Sequence, residues 1–210
     1  MLDFDRLQSP TIRLTEFAFY DYAALKAIAH RINLKAATAG DAGYMPYYAF
    51  QGNPLHDAGY ARDLGDNVRK LLAKAGNERR AQPRTTYRLA VRLKQWDVLI
   101  GGATINMLPV REDGREIHGD LGYFLDPAHA RHGHMRQACR LLLGQYFEHW
   151  DTLDITTHPG NIYSKRLIGQ LGGTFAGRQD ASHYAGEPRD AFVVTRQRFH
   201  QRPEHGREHV

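Results

Sequence analysis

The stretch DPAHARHGHMRQACRLLL, residues 126–143, decides how the rest of the chain is read. Pro127 ends the extended segment before it, because it offers no N–H to a strand ladder. Met135, Ala138, Cys139, Leu142, Leu143, Tyr146, Phe147 and Trp150 then recur at helical spacing, which predicts an amphipathic helix over 133–150. Between the two lie His129, His132 and His134, with Arg131 and Arg136. Two chemistries compete for this turn. Zinc needs three or four ligands converging at about 2 Å. The H-x-x-H-x-H spacing straddles a turn and a helix start, so these side chains tend to diverge. The alternative is an anion. The first N–H groups of a helix lack internal partners, and the helix dipole reinforces them. Gly133 lets a phosphate approach the backbone, and Arg131, Arg136 and His132 or His134 add charge at the rim. An ordinary capped helix with a basic first turn fits the same residues, although the dipole opposes basic side chains there.

Outward from this stretch the pattern alternates. TIRLTEF (11–17) reads as a strand. Asp21 caps a helix beginning YAALKAIAH. Residues 31–57 lack a clear period and hold Tyr44, Tyr47, Tyr48 and Phe50 among glycines and prolines, a long loop of functional or lid-like character. Tyr60, Leu64, Val68, Leu71 and Ala75 mark a second helix, closed by the polar break NERRAQPRT. Strands follow at 87–93, 98–110 and 116–126, with turns around Lys94–Asp97 and REDG. After the central helix come a strand (152–158), a helix from Asn161 to Leu171 ended by Gly172–Gly173, and two final strands, TFAGRQ and DAFVVTRQRF. The order β-α-α-β-β-β-α-β-α-β-β favours an α/β fold with a mixed sheet over an all-parallel one.

Composition bounds the function. No run approaches the eighteen apolar residues of a membrane span. The start, MLDFDRLQSP, lacks the blocks of a signal peptide. Cys139 is the only cysteine, so neither an internal disulfide nor a cysteine-based zinc site is available, and a cytoplasmic location is the default. The formal charge of +5 invites nucleic acid, but acidic residues are interspersed and the densest basic material is the C-terminal tail. A solvated tail accounts for that better than a nucleic-acid arm. The expected organisation is one domain, residues 1–199, with a polar His/Arg-rich tail, 200–210.

GDLGYFLDPAHARHGHMRQACRLLL, residues 119–143, resembles the acetyl-CoA-binding segment of the GNAT superfamily of N-acetyltransferases, in its RimJ/RimL-type branch. That segment has a strand of the form E-x-G-Y-x-x-x-P, a loop R/Q-x-x-G-x-G/A and a long helix. HPGNIYSKRLIGQLGGTF, residues 158–175, is similar to the family's N-x-x-S-x-x-x-x-x-x-L-G-F. The resemblance implies a mostly antiparallel, seven-stranded central sheet flanked by about four helices and splayed between the fourth and fifth strands. It implies that backbone N–H groups from Arg131 through His132, Gly133, His134 and Met135 to Arg136 hold the CoA pyrophosphate. Tyr123, Phe124 and Leu125 would bond the pantetheine arm through their backbone, and Asn161 and Ser164 would meet the cofactor near the splay. The histidines then need no metal.

The implied activity is acetyl transfer from acetyl-CoA to a primary amine, of a small molecule or of a protein or peptide N-terminus, by direct attack in a ternary complex. Asp120 takes the acidic position of the strand motif and is the first candidate base. Glu116 and His118 share its face by two-residue alternation. Many relatives use a tyrosine seven residues after the motif asparagine; that position is Ile168 here, which leaves Ser164 as donor to the CoA sulfur. Tyr44, Tyr47, Tyr48 and Phe50 are candidates to line the acceptor pocket. Three departures, Ala130, Met135 and Ile168, favour an alternative, a non-catalytic acyl-CoA-binding module of the same fold. Met135 either crowds the pyrophosphate or turns into the core. Gly173 stands where the family has its final phenylalanine. No membrane partner is expected, nucleic acid is disfavoured, and a homodimer is compatible with what relatives do.

Overall fold

The computed structural model describes residues 2–39, 59–107, 119–179 and 188–202. Seven strands run β1 Ile12–Glu16, β2 Thr86–Leu93, β3 Val98–Asn106, β4 Gly119–Leu125, β5 Thr152–Thr157, β6 Thr174–Gln179 and β7 Arg189–Thr195. They form one sheet in the order β1-β2-β3-β4-β5-β7-β6. Every neighbouring pair is antiparallel except β4 with β5. Five helices accompany them: α1 Tyr22–Ala39, α2 Tyr60–Arg80, α3 His134–Tyr146, α4 Ile162–Gln170 and α5 Arg196–Gln201.

Alternation along the strands builds two cores, one on each face of the sheet. On one face Leu89, Val91, Ile105, Leu121, Leu153 and Val194 pack with the apolar stripes of α3 and α4 and with Phe199 of α5. On the other, Ala90, Leu99 and Phe17 pack with Leu25, Ile28 and Ile32 of α1 and Leu64, Val68 and Leu72 of α2. In β4, Leu121, Tyr123 and Leu125 belong to the α3 face, while Phe124 packs against the α1/α2 core. Asp120 and Gly122, in phase with Phe124, therefore also face α1 and α2.

Several elements differ from the sequence reading. α3 ends at Tyr146 rather than running to 150. α1 continues to Ala39, into residues read as loop, because Ile32 and Asn33 are buried and the segment NLKAATA is rich in helix formers. α2 runs to Arg80, through half of the expected polar break, and Glu78 in its last turn grips Arg88 of β2 with two hydrogen bonds of 3.0 and 3.1 Å. The last strand stops at Thr195, whose hydroxyl accepts from the Arg198 N–H and caps α5, so Arg196–Phe199 is helical rather than extended. Asp21 is not a simple helix cap either. It ends a 3-10 turn, accepts the Ala18 N–H at 2.9 Å and meets Arg92 at 2.5 Å, both partners being almost fully buried.

Candidate active site

The parallel pairing of β4 with β5 is short. Gly119 stands opposite Leu153 and Asp120 opposite Asp154, and there the register ends. Leu121–Leu125 keep their bonds to β3, and Ile155–Thr157 keep theirs to β7. The two strands therefore part, leaving backbone polar groups of both aimed into the opening, where a ligand must satisfy them if water does not. The sheet's one parallel pair thus opens a slot toward the head of α3.

The loop that follows β4 is tied down at its root. Asp126 accepts the Ala128 N–H at 3.0 Å and starts a 3-10 turn, Pro127–His129. Its buried carboxylate also accepts two hydrogen bonds from Arg31 of α1, at 3.0 and 2.5 Å. Burial works against the charge, but Arg31 and the Ala128 N–H outweigh it and hold the carboxyl below its ordinary range. Arg131 then takes φ 68° and Gly133 φ 76°, both left-handed. These two reversals carry the chain into α3 with its first helical bond from the Gln137 N–H to the Gly133 carbonyl, 3.0 Å. The N–H groups of His134, Met135 and Arg136 precede that bond and have no partner within the helix.

Met135 settles one alternative. It is only 6% exposed and packs in the core beneath α3, so its bulk points away from the loop. His132 and His134 stack with ring centroids 5.7 Å apart. Burial, followed by the neighbouring His132 and His129, pushes His134 below its ordinary value, which keeps it neutral at neutral pH. Arg131 and Arg136 bring positive charge to the rim. Among the described residues no group of three or more His, Cys, Asp or Glu side chains gathers as a metal site would require.

Across the slot, Asn161 caps α4: its side-chain oxygen accepts the Ser164 N–H at 3.0 Å, which leaves the amide NH2 as the donor available to a ligand. The Ser164 hydroxyl does not bond back to its own helix. It pairs with the Tyr123 hydroxyl of β4 at 2.8 Å. Tyr163, beside it, lies under Arg131, whose guanidinium carbon is 6.0 Å from the ring centre, so α4 braces the loop from the far side. Ile168 is fully buried in the core. Gly173 is required where it stands, since a Cβ there would meet Ile168 Cγ2 at 2.3 Å.

Asp120 sits at the last paired position before the strands part. Its carboxylate accepts from the Asn106 amide. Its side chain is exposed at the opening, yet the surrounding protein partly desolvates it and raises it above the usual carboxylate range, against the opposite pull of Asn106, its own backbone N–H and Arg88. Raised in this way, a carboxylate is a better proton acceptor. The two ends of the site thus occupy opposite faces: Asp120 toward α1 and α2, the Tyr123–Ser164 pair toward α3 and α4. Glu116, His118, Tyr44, Tyr47, Tyr48 and Phe50 lie outside the described residues. Sequence reasoning missed the Tyr123 hydroxyl, Arg31 and Tyr163. Each acts across a gap in the chain that no local pattern reports.

A split mixed sheet with bare helix N–H groups at the mouth of the split is a site for an extended ligand that carries an anionic group. A family model described as an acetyltransferase (GNAT) domain matches residues 31–174, more than half of the chain, and the chain belongs to that family. It is therefore an acetyltransferase. Solved structures agree on the fold. RimJ of Mycobacterium smegmatis, in complex with CoA-disulfide, has 16% identity and a TM-score of 0.61, over 89% of this chain and 82% of its own. RimL, the ribosomal L7/L12 alpha-N-protein acetyltransferase, in complex with coenzyme A, has 15% identity and a TM-score of 0.63, over 89% and 95%. The microcin C7 self-immunity acetyltransferase MccE, in complex with acetyl-CoA and AMP, has 15% identity and a TM-score of 0.63, over 89% and 93%. No curated protein matches the sequence significantly.

Proposed function

We propose that this chain transfers the acetyl group of acetyl-CoA to a primary amine, of a small molecule or of a protein or peptide N-terminus, by direct attack in a ternary complex. The observation that carries the proposal is the parting of β4 and β5 directly after Asp120, with the unpartnered N–H groups of α3 at its mouth. The loop from Arg131 to Arg136 takes the pyrophosphate. Tyr123, Phe124 and Leu125 offer backbone groups to the pantetheine arm, and Asn161 offers its amide. Acetyl-CoA enters as co-substrate, and no metal takes part in this reading.

The reaction needs an unprotonated amine, a base and help for the leaving sulfur. Asp120, directly or through one water, takes the amine proton. Glu116 and His118, just before it in the chain, are the further candidates. Nitrogen attacks the thioester carbonyl, the C–N bond forms, and the C–S bond breaks with its electron pair passing to sulfur. Ser164 donates to that sulfur. Holding both reactants in line supplies much of the rate. Tyr44, Tyr47, Tyr48 and Phe50 are assigned to the acceptor pocket. Met135 turning into the core removes one of the features that favoured a non-catalytic module. A cytoplasmic location completes the reading, and a homodimer is compatible with it. Among the described residues no helix is long and apolar enough to cross a membrane.

Isothermal titration with acetyl-CoA tests the proposal. Micromolar binding is expected, weakened at least tenfold in an Arg131→Glu, Gly133→Pro double variant that still melts cooperatively. An amine panel read by free-thiol release then identifies the acceptor. Failure to bind acetyl-CoA or any longer acyl-CoA overturns it.

A further inference from the structure

We infer that Tyr123 is a positioning residue for Ser164: its phenol donates to the serine oxygen and thereby turns the serine proton into the slot, toward the sulfur of CoA. The inference rests on the proposed placement of the thioester in that slot.

The two hydroxyls come from elements on opposite sides of the split, Tyr123 from β4 and Ser164 from the first turn of α4, and they meet at 2.8 Å. A serine hydroxyl in a helix ordinarily spends its proton on the carbonyl one turn back, which makes it a poor donor to a ligand. Here that bond is replaced by the contact with tyrosine. Each hydroxyl holds one proton, and only one of the two can lie between them. If Ser164 donated, its proton would be spent on Tyr123 and none would reach the slot. If Tyr123 donates, the serine proton is free. Burial pushes the Tyr123 phenol well above its ordinary value, so it stays protonated across the working pH range and retains the proton this arrangement needs. The ring is held on the α3 face beside Leu121 and Leu125, so the hydroxyl has a fixed direction.

The consequence for the reaction is confined to the departing sulfur. The C–S bond breaks, sulfur leaves with the pair, and the Ser164 O–H bonds to the thiolate as it forms. Tyr123 keeps its own proton throughout. The thiolate takes its proton from solvent after release, so the two hydroxyls return to their starting state without a relay.

CoA itself, with its free thiol, reads this without any acceptor. The ultraviolet absorbance of the thiolate is followed against pH in the CoA complex and in free CoA. The bound thiol is expected to ionise about one unit lower, the size expected of one hydrogen bond to a charged group. Tyr123→Phe and Ser164→Ala should each lose most of that shift, and the double variant no more than either alone. Bound thiol that ionises as in free CoA overturns the inference, as does a full shift retained in Tyr123→Phe, or two losses that simply add. A purely structural tyrosine would lower the melting temperature and leave the ionisation untouched. Failure of the proposed function is seen separately, as absence of heat on titration with acetyl-CoA, and that result removes the inference as well.

Discussion

Arg31 of α1 and Asp126 at the root of the α3 loop face each other through two hydrogen bonds, at 3.0 and 2.5 Å. This pair ties the helix that leads toward the acceptor segment to the loop assigned to the pyrophosphate. Asp126 is buried, while the Arg31 side chain is 45% exposed, so solvent screens part of the attraction. Arg31→Met is expected to cost about 1–2 kcal/mol at neutral pH, below the full penalty for an orphaned buried charge. The folded carboxyl lies below its ordinary value of 3.8, so its contribution is complete above that value and is lost as pH falls through the depressed one. Urea midpoints of the two proteins should therefore differ at pH 7 and converge only as pH falls below 3.8.

Asp120 gives the opposite sign. Its folded carboxyl is raised above 3.8, so the folded state holds the proton more tightly than the unfolded chain. Stability from this group falls as pH rises through the carboxylate range, and Asp120→Asn should not destabilise the fold at pH 7. Activity runs the other way, because only the carboxylate accepts a proton. The acid limb of kcat/KM should lie above the usual carboxylate range and vanish in Asp120→Asn, with a loss of about 100-fold or more.

Restoring the family's phenylalanine at position 173 should harm the protein. A Cβ there already falls 2.3 Å from Ile168 Cγ2 and 3.0 Å from the Ile168 carbonyl oxygen. Gly173→Phe is expected to destabilise by about 2 kcal/mol or more, since α4 must shift to admit it. Gly173→Ala tests the same contact in milder form, and thermal melts of both check the order.

Cys139 should be silent toward thiol reagents. It is fully buried in α3, and burial pushes its thiol well up, so little thiolate forms. Labelling by a maleimide should proceed only as fast as the native protein opens. Rapid labelling of the folded chain would contradict the burial.

The loop was legible because its signals are local: a proline that ends a strand, a glycine at a left-handed turn and an apolar stripe that starts at Met135. The seven strands were read from an alternating first segment and from apolar runs bounded by turn residues, though not all of their ends were. The Tyr123–Ser164 contact was not legible, because 41 residues separate the two and only the position of α4 across the split brings them together. Arg31 was hidden for a similar reason, within a segment whose helical period continues past the point where polar residues seemed to interrupt it. The end of β7 misled because FVV reads as strand on either side of any stop, and the stop is a single Thr195 cap. Asp120 needed the family motif to be noticed at all; its raised carboxyl comes from partial desolvation by the surrounding fold, against the pull of Asn106 and Arg88 on other strands.

Viewed as a mechanical object, the sheet is two leaves held at one short hinge. Three ladders join the four strands of one leaf and two join the three strands of the other, yet β4 and β5 share only two residue pairs. Beyond those two pairs the leaves are joined across the seam by the side chains of α3 and α4 packing on a common core. A ligand lodged in the opening supplies rungs of its own and behaves as a splint. The empty protein is then weakest along this line, and amides of Leu121–Leu125 and Ile155–Thr157 that face the gap should exchange with solvent sooner than their neighbours and slow when the splint is in place.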